Sequence, residues 1–297
     1  MDVSVIIVNY NTLELTKNTI NSVIEKTQGI KYEIILVDNA STDGSVEYFE
    51  EKYKNKITFL KNKENLGFGR ANNKGIKIAK GKYIFLLNSD TLLINNAIKI
   101  LFDYMELNLK VGVCGGNLYN EKFLPELSYR EKMMGYSSEY LEHIINIFRI
   151  KILKIKKIYF NTKNKPKQVE IIIGADMFIR KEILEKVGNF DEDFFMYHEE
   201  SELCFRVLKK GYEIYSVPEA KIIHLEGKSS KFKKEKFKMY RFGKYMFFYK
   251  TKGKKSLKWA YLLSQMRFLN KLDIERFRLN KGEYEKFKLF LREKEGR

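Results

Sequence analysis

The sequence predicts an α/β protein with a mostly parallel β-sheet flanked by helices. Short apolar runs alternate with segments of helical period through the first 115 residues, which is the pattern of βαβ units. The runs are apolar throughout instead of alternating with polar residues, so helices should cover both faces of the sheet. The chain has 297 residues, 44% of them apolar, and is therefore long enough to bury the core of such a fold.

The individual elements follow in chain order. Strands are predicted at 3–9, 33–38, 57–60, 83–87 and 111–115, and helices at 13–25, 45–53, 70–79 and 97–105. Beyond a break at 118–168, a strand at 169–173, helices at 181–187 and 199–210, and short strands around Ile214 and Ile222 resume the pattern. We therefore expect an α/β domain over residues 1–227 that contains 118–168 as a variable insertion.

The insertion has an amphipathic character of its own. Apolar residues recur at helical spacing between Leu141 and Tyr159, and lysines gather at one end of this segment. Such a helix can lie on a membrane, cover a ligand cleft or pack on the main domain.

Residues 228–297 are predicted to form a basic, aromatic-rich helical appendage. This segment has 23 Lys and Arg against 7 Asp and Glu, so it carries +16 of the net charge of +18. Basic residues interleaved with aromatic ones are typical of surfaces that bind anionic lipid, and they also occur in nucleic-acid sites. A solvated helical face whose lysine stems cover core contacts is the third interpretation. We expect contact with an anionic membrane surface and no nucleic-acid partner.

The chain is expected to be cytoplasmic and to associate peripherally with the inner face of the cell membrane. Its amino terminus lacks the basic start and the cleavage site of a signal peptide, and no apolar run approaches the roughly 20 residues that span a bilayer. The two cysteines, Cys114 and Cys204, lie far apart in apolar surroundings, and we interpret them as core residues.

Polar residues follow three of the predicted strands at the point where each strand ends. They are Asn9, Tyr10 and Asn11 after the first strand, Asp38, Asn39 and Ser41 after the second, and Asn88, Ser89 and Asp90 after the fourth. Ligands of open α/β sheets bind at this edge, where Asp38 can accept a hydrogen bond from a base N–H or a ribose hydroxyl. Asp90 would repel phosphate unless a divalent cation lay between them, so it implies Mg²⁺ or Mn²⁺. Each Asp by itself also fits a helix cap or a turn.

Asn65, Gly67 and Arg70 lie between the third strand and the following helix. Glycine lets a ligand approach the backbone closely, and Arg70 can meet a phosphate near a helix start. The chain has neither Gly-x-Gly-x-x-Gly after its first strand nor the spacing of an ATPase phosphate loop. Both of those nucleotide-binding motifs are therefore excluded.

Two further groups complete the candidate site. In a helix that begins near Glu199, Glu200 shares a face with apolar residues, whereas Glu199 points with Glu202 and Arg206. Desolvation on the apolar face can raise the pKa of Glu200 toward that of a general base, although acids in a first helical turn are also ordinary partners of the helix dipole. His224 ends the last predicted strand, and it can complete a metal shell if the fold brings it to the metal position.

Taken in order, these segments resemble the motifs of family 2 inverting glycosyltransferases. They are Val-Asn-Tyr-Asn at 8–11, Val-Asp-Asn-Ala-Ser-Thr-Asp-Gly at 37–44, Asn-Leu-Gly-Phe at 65–68, Asn-Ser-Asp-Thr at 88–91, Gly-Ala at 174–175 and Glu-Glu-Ser-Glu at 199–202. The rhamnosyltransferase and galactofuranosyltransferase branch is the most similar. The resemblance covers roughly residues 3–230 and implies a GT-A (Rossmann-like) fold, a nucleotide-sugar donor and a divalent metal.

The resemblance also implies a role for each residue that matches a motif. Asp38 would read the base, Asn88 and Asp90 would form the Asp-x-Asp-like metal motif, His224 would assist the metal, and Glu200 would be the catalytic base. Two departures stand out: the family usually has Glu-Asp-x-Asp where this chain has Glu-Glu-Ser-Glu, and an asparagine replaces the first acid of the metal motif. The first departure makes the base one methylene longer.

The implied activity is metal-dependent, inverting sugar transfer in polysaccharide or cell-envelope biosynthesis. The donor favoured by the resemblance is dTDP-rhamnose, with a UDP-sugar as the alternative, and the cofactor is Mg²⁺ or Mn²⁺. The acceptor would be a hydroxyl group of a polysaccharide or lipid-linked glycan, with the 118–168 insertion on the acceptor side. Two other functions stay open: a noncatalytic basic protein that binds membrane or nucleic acid, and a sugar nucleotidyltransferase that releases pyrophosphate.

Overall fold

The computed structural model describes residues 1–135, 159–225 and 233–296. The domain boundary predicted at residue 227 lies outside these residues. The amphipathic helix predicted in the insertion also lies outside them, apart from Tyr159. The strands are β1 (Val3–Asn9), β2 (Tyr32–Asp38), β3 (Thr58–Lys61), β4 (Tyr83–Asn88), β5 (Thr91–Leu93), β6 (Val111–Tyr119), β7 (Tyr129–Arg130), β8 (Lys167–Val169), β9 (Ile171–Ile172), β10 (Asp176–Arg180) and β11 (Glu213–His224). The helices are α1 (Leu13–Lys26), α2 (Ser45–Lys52), α3 (Phe68–Ile78), α4 (Ala97–Leu107), α5 (Lys181–Val187), α6 (Glu199–Lys209), α7 (Lys233–Lys252), α8 (Lys254–Leu269) and α9 (Ile274–Glu295).

The main sheet has the strand order β3-β2-β1-β4-β10-β6-β11-β5, and β8 also pairs with β11. β1 pairs in parallel with β2 and β4, and β2 pairs in parallel with β3. The carboxyl ends of these four strands therefore lie at one edge, while β10 runs antiparallel between β4 and β6. The predicted fold class, a mostly parallel sheet flanked by helices with a helical C-terminal region, is confirmed.

The sequence pattern does not predict β10. The strand begins with Asp176 and ends with Arg180, so only three apolar residues lie between two charged ones. Asp176 is nevertheless fully buried, and its Oδ2 accepts a hydrogen bond from the Gly116 backbone N–H at 2.6 Å. Burial raises the pKa of Asp176 well above its usual value. The protonated carboxyl group is therefore favoured, which lets an acidic residue occupy a central strand.

β11 is one long strand where the sequence predicts two short ones at Ile214 and Ile222. Its parallel pairing with β6 changes register between Ser216 and Lys221, a stretch that contains Pro218. Proline has no N–H to donate to a neighbouring strand, so the ladder is interrupted there. Similarly, the strand predicted at 169–173 is divided into β8 and β9.

Helices cover both faces of the sheet, as the apolar strands predict. Val5 and Ile7 of β1 belong to a buried cluster that includes residues of α1 and α4. Ile6 belongs to a second cluster, with residues of α3, α5 and α6. Cys114 and Cys204 are free thiols buried in these two clusters, which confirms them as core residues.

The last three helices form a third core with aromatic residues at its centre. Tyr245, Phe247, Phe248 and Phe287 are each at most 1% exposed, and Phe194 of the sheet domain joins the same cluster. Several of the aromatic residues that suggested a lipid-binding surface therefore pack inside the protein and dock the C-terminal helices onto the sheet domain. Within the described ranges, no helix combines the length and the apolar character needed to cross a bilayer.

Candidate active site

A buried polar network around Asn9 and Asp38 joins the ends of β1 and β2. Asn9 Nδ2 donates to Asp38 Oδ2 at 2.7 Å and to Ser41 Oγ at 2.9 Å, and the Ser41 backbone N–H donates to Asp38 Oδ1 at 2.9 Å. Asp38 is fully buried. Both carboxylate oxygens therefore already accept a hydrogen bond from the protein, and a ligand has only their remaining lone pairs.

Tyr10 and Asn11 form the exposed rim of this network. Tyr10 is 46% exposed, so its ring can stack against a planar ligand. The Asn11 side-chain oxygen accepts from the Thr42 backbone N–H at 2.7 Å, and Ser41 Oγ accepts from the Asn11 backbone N–H at 3.0 Å. The loops that follow β1 and β2 are thereby fixed to each other.

Asn39 fixes the loop that leads into α3. Its Nδ2 donates to Asn65 Oδ1 at 2.8 Å, and its Oδ1 accepts from the Leu66 backbone N–H at 3.0 Å. Gly67 follows with a φ of +79°, and a Cβ added there would lie 2.0 Å from the carbonyl oxygen of Phe195. The close backbone approach predicted at Gly67 is thus made by the protein itself, between this loop and the segment before α6.

Asn88, Asp90 and His224 meet at the end of β4. His224 Nε2 lies 3.3 Å from Asp90 Oδ1 and 3.5 Å from Asn88 Nδ2. β11 pairs antiparallel with β5, with His224 opposite Thr91, so the sheet brings the histidine to this position. The side chains of Asp90 and His224 are only 9% and 12% exposed, so water screens an electrostatic interaction at this position only weakly.

The donor atoms at this position fit a divalent cation that takes most of its ligands from a substrate. Asp90 offers carboxylate oxygens, and His224 offers an imidazole nitrogen. Mg²⁺ typically binds proteins through one or two carboxylates together with substrate phosphates and water. In the part of the chain that the structure describes, no group of three or more His, Cys, Asp and Glu side chains is placed to hold an ion. The described residues that could hold a cation at this position are Asp90 and His224. Ser89 lies beside them, and its Oγ accepts from Thr12 Oγ1 at 3.1 Å.

A short turn, Gly174-Ala175, lies between the end of β4 and Glu200. The Ala175 carbonyl accepts from the Asn88 backbone N–H at 3.0 Å. On its other side, a Cβ added to Gly174 would lie 3.8 Å from the Cβ of Glu200, an ordinary van der Waals contact. The turn therefore touches both the strand end that carries the Asp-His pair and the first residues of α6.

Glu199 and Glu200 at the start of α6 both have raised pKa values. Burial raises the pKa of Glu200 above its usual value of 4.5, although a hydrogen bond from Ser201 Oγ at 3.0 Å partly offsets the effect. Burial, together with the adjacent charge of Glu200, raises the pKa of Glu199 well above its usual value. Glu199 is 4% exposed, and its Oε2 has no hydrogen-bond partner among the described residues. Glu200 is only partly buried, so a ligand can reach it.

Glu202 and Arg206 anchor α6 to the preceding loop. The guanidinium of Arg206 donates to both carboxylate oxygens of Glu202, with an Nη2–Oε2 distance of 2.8 Å. It also donates to the carbonyl of Gly188 at 2.7 Å. The sequence groups Glu199 with these two residues, but Glu199 packs near Gly69 of α3. A Cβ added to Gly69 would lie 3.8 Å from the Cβ of Glu199.

Tyr197 and His198, directly before α6, were given no role by the sequence. Both have positive φ angles, 72° and 73°, a conformation that costs a non-glycine residue about 1–3 kcal/mol. The C-terminal helices hold this turn: the rings of His198 and Tyr240 lie 4.6 Å apart, and a Cβ added to Gly243 would lie 2.2 Å from the Tyr197 carbonyl oxygen. No sequence signal marks two consecutive left-handed residues of these types.

Arg70 lies at the first turn of α3, as predicted, but its Nε donates to the carbonyl of Glu192 at 2.7 Å. It lines a cavity of about 770 Å³ between α3 and α5, together with Lys74, Lys77 and Lys181. Among the described site residues, Arg70 alone lines this cavity. The cavity is therefore separate from the strand-end site around Asp90.

Comparison with known proteins identifies the family. Residues 4–188 match the profile named Glycosyl transferase family 2, which is more than half of the chain. The chain belongs to glycosyl transferase family 2. The matched range ends before Glu200 and His224, so the family match itself does not assign either residue.

Curated relatives of this family 2 chain are glycosyltransferases of bacteria and archaea. An uncharacterized glycosyltransferase of Methanocaldococcus jannaschii is 33% identical over 51% of the chain and 57% of the relative. The poly(ribitol-phosphate) beta-N-acetylglucosaminyltransferase TarP of Staphylococcus aureus is 32% identical over 55% of the chain and 53% of the relative. A poly(ribitol-phosphate) beta-glucosyltransferase of Bacillus spizizenii is 27% identical over 58% and 28%. The chain thus spans about half or less of the length of these relatives, and the rhamnosyltransferase and galactofuranosyltransferase branch stays a prediction.

Two solved structures share the fold of this family 2 chain. GalNAc-T7, determined with UDP, GalNAc and Mn²⁺, gives a TM-score of 0.57 at 19% identity over 82% of the chain and 47% of that protein. A mannosyltransferase of Pyrobaculum calidifontis, in complex with GDP-Man and Mn²⁺, gives a TM-score of 0.57 at 18% identity over 95% of the chain and 73% of that protein. At these identities the likeness shows the fold alone, and the fold is GT-A, as predicted.

Proposed function

We propose that this protein is an inverting glycosyltransferase that moves a sugar from a nucleotide-diphosphate donor to a hydroxyl group of an acceptor. Family membership supports the reaction class. The observation that carries the proposal is the meeting of Asp90 and His224 at the carboxyl edge of the sheet, with a carboxyl group of raised pKa, Glu200, across the 174–175 turn. Each of these groups supplies a different part of sugar transfer.

The nucleoside of the donor is assigned to the ends of β1 and β2. Tyr10 offers an exposed ring for stacking on the base. Asp38 accepts from a base N–H or a ribose hydroxyl through the lone pairs that its contacts with Asn9 and Ser41 leave available. Because those contacts hold the carboxylate in place, little reorganisation is needed when the donor binds.

The diphosphate of the donor is assigned to the Asp90–His224 pair through Mg²⁺ or Mn²⁺. These are hard cations that prefer oxygen ligands, and the pair leaves most coordination positions to phosphate oxygens and water. When bound, the cation neutralises negative charge on the departing nucleoside diphosphate. Asn88 lies within 3.5 Å of the histidine ring and helps to orient it.

Glu200 is assigned as the general base. Its carboxylate accepts the proton of the acceptor hydroxyl, the resulting oxygen attacks the anomeric carbon, and the bond to the leaving diphosphate breaks with inversion. Burial raises the pKa of Glu200 above 4.5, which makes its carboxylate a stronger base. The charge of Glu200 in turn helps to raise the pKa of the adjacent Glu199, which favours a neutral Glu199 beside the base.

The substrates follow from the resemblance and from the relatives. The donor that the branch resemblance favours is dTDP-rhamnose, with a UDP-sugar as the alternative. Two of the relatives are named for transfer to poly(ribitol-phosphate), which favours a polymeric or lipid-linked glycan acceptor rich in hydroxyl groups. Transfer to such an acceptor fits synthesis of cell-envelope polysaccharide.

The proposal predicts that Glu200→Gln abolishes transfer while donor binding persists. The amide has nearly the same size as the carboxylate but cannot accept the proton. Calorimetric titration with the nucleotide sugar and Mn²⁺ should give an affinity within about twofold of the parent, whereas turnover should fall by roughly 10²–10⁴. In the parent enzyme, the rate should decline as pH falls, beginning above 4.5, because the raised pKa of Glu200 leaves the base protonated at higher pH.

Asp90→Ala tests the metal position in the same two measurements. Glu275→Gln, at an exposed position on α9, is the matched control. Asp90→Ala should lose the metal-dependent part of donor binding, whereas the control should match the parent in both measurements. Near-normal turnover by Glu200→Gln would reject the base. Release of pyrophosphate from a nucleoside triphosphate would indicate a nucleotidyltransferase, and absence of transfer with every nucleotide sugar tested would favour a noncatalytic protein.

A further inference from the structure

The outer face of α8 carries a continuous apolar stripe. Trp259, Leu262, Met266 and Leu269 are 56%, 38%, 56% and 47% exposed. Their spacing of three, four and three residues places them along one side of the helix. The stripe continues into the α8–α9 turn, where Leu272 is 84% exposed.

The opposite face of α8 already packs into the protein. Leu257, Ala260 and Phe268 are at most 9% exposed, and Leu257 and Ala260 belong to the C-terminal core. Both sides of the helix are therefore apolar, although only one of them faces the core. A helix that is apolar on both sides and has one side exposed is typical of a helix that lies against a second apolar phase.

The charged residues of α8 itself are all of one sign. Residues 254–269 contain no Asp or Glu, and Lys255 and Lys258 are exposed on the same side of the helix as the stripe. Lys271 follows in the adjoining turn and is also exposed. Lysine stems can lie along an apolar surface while their ammonium groups reach outward to anions.

We propose that the outer face of α8 lies in the interface of an anionic lipid bilayer. The apolar stripe enters the boundary between headgroups and acyl chains, Trp259 sits at headgroup level, and Lys255 and Lys258 contact anionic headgroups. Charge complementarity decides the occupant, because a second copy of the same face would bring lysines against lysines. This surface is distinct from the donor site and does not depend on the proposed sugar transfer.

Fluorescence of Trp259 tests the proposal directly, because it is the single tryptophan of the chain. Vesicles of phosphatidylcholine mixed with phosphatidylglycerol should shift its emission to the blue and carry the protein into the pellet on sedimentation. Vesicles of phosphatidylcholine alone should bind at least about tenfold more weakly, since each lysine near an anionic surface contributes about fivefold. Added salt should weaken binding to the anionic vesicles.

Two double variants, in addition to the parent, separate the stripe from its charges. Leu262→Ser with Met266→Ser should reduce binding to anionic vesicles at least about tenfold and retain Trp259 as the reporter. Lys255→Gln with Lys258→Gln should reduce binding about tenfold or more and remove much of the salt dependence. All four positions are exposed, so circular dichroism and the unfolding midpoint should stay at parental values.

The matched control is Leu107→Ser with Leu109→Ser, at positions that are 84% and 73% exposed outside the C-terminal helices. This control should bind vesicles as the parent does. Equal loss in the control, unchanged emission of Trp259 with anionic vesicles, or parental binding by the stripe variant would each overturn the proposal. The proposal would also be overturned if the protein formed a dimer in solution that Leu262→Ser with Met266→Ser dissociates. It would likewise be overturned if single-stranded polynucleotide shifted the emission of Trp259 while vesicles did not.

Discussion

The sheet domain, described over residues 1–135 and 159–225, and the C-terminal helices, described over residues 233–296, are organised around different kinds of core. In the sheet domain, aliphatic strands are covered by helices on both faces, and the polar residues collect at the strand ends. In the C-terminal helices, aromatic residues such as Tyr245 and Phe287 fill the centre, and lysines and arginines occupy much of the surface. The excess charge is correspondingly concentrated in the second region, +16 of +18 counted from residue 228.

The C-terminal helices also contact the residues that precede α6. Gly243 packs against the carbonyl of Tyr197, and Tyr240 packs on His198, directly before the helix that carries Glu200. Lys250 of α7 forms an ion pair with Asp191, which also precedes α6, with an Nζ–Oδ2 distance of 2.5 Å. The C-terminal helices therefore hold the strained turn that begins α6, while α8 faces outward.

The largest effect is expected for Phe287→Ala. The side chain is fully buried, and removing a buried phenylalanine ring typically costs about 3–5 kcal/mol. Denaturant unfolding followed by circular dichroism measures the loss, with Leu289→Ala, 56% exposed, as the control within about 0.5 kcal/mol of the parent. A loss below about 1 kcal/mol would mean that the C-terminal helices lack the tight core described here.

A smaller effect, directed at the site, is expected for Gly243→Ala. The added Cβ would lie 2.2 Å from the Tyr197 carbonyl oxygen, so the turn before α6 must shift. We expect a cost of about 1–3 kcal/mol and a reduced kcat with unchanged donor affinity. Gly282→Ala in α9 is the matched control, because a Cβ there meets nothing within 4 Å and alanine favours the helix by up to about 1 kcal/mol. If Gly243→Ala kept the parental kcat, packing of the C-terminal helices against the turn before α6 would not affect catalysis.

The smallest effect is expected for Asp193→Asn. Burial acts to raise the pKa of Asp193, but hydrogen bonds from Lys250 and Lys294 outweigh it and hold the pKa below its usual value of 3.8. A carboxylate with a lowered pKa stabilises the folded state above its unfolded pKa, and this stability is lost as pH falls through the folded value. The variant should therefore be less stable than the parent by up to about 1 kcal/mol at neutral pH. The difference should shrink as pH falls below 3.8 and disappear once pH is below the lowered pKa of Asp193.

Unfolding midpoints at neutral and acidic pH measure this difference, with Glu51→Gln, whose side chain is 79% exposed, as the control. A difference that persists in acid would mean that Asp193 acts through its shape and not through its charge. High salt should also reduce the difference, because the ion pairs are partly exposed.

Local patterns predict much of the sheet domain because they have local causes. The continuous apolar runs at β1, β2 and β4 and the polar residues that follow them can be read directly from the chain. β10 is not predicted, because only three apolar residues lie between Asp176 and Arg180, and the buried Asp176 is accommodated by a hydrogen bond and a raised pKa. The division of the 169–173 segment likewise depends on which strands are available as neighbours.

At the candidate site, the residue types could be predicted but several of their contacts could not. The resemblance assigns Asp90 and His224 to one metal position, and in the structure Asp90 Oδ1 lies 3.3 Å from His224 Nε2. Asp38 was assigned to the base, and the structure adds that both its oxygens already accept hydrogen bonds. Gly67 was interpreted as space for a ligand, whereas the space is used by the Phe195 carbonyl.

The sequence by itself determined the α/β class, the strand-end residues and the basic character of the C-terminal region, because hydrophobic period, turn chemistry and charge are properties of neighbouring residues. Only the tertiary structure decided which aromatic residues of that region are buried and which, like Trp259, face outward. It also decided that Tyr197 and His198 adopt left-handed conformations, because packing from Tyr240 and Gly243 holds a turn that neither residue prefers alone. Such contacts join residues far apart in the chain, so no local pattern records them.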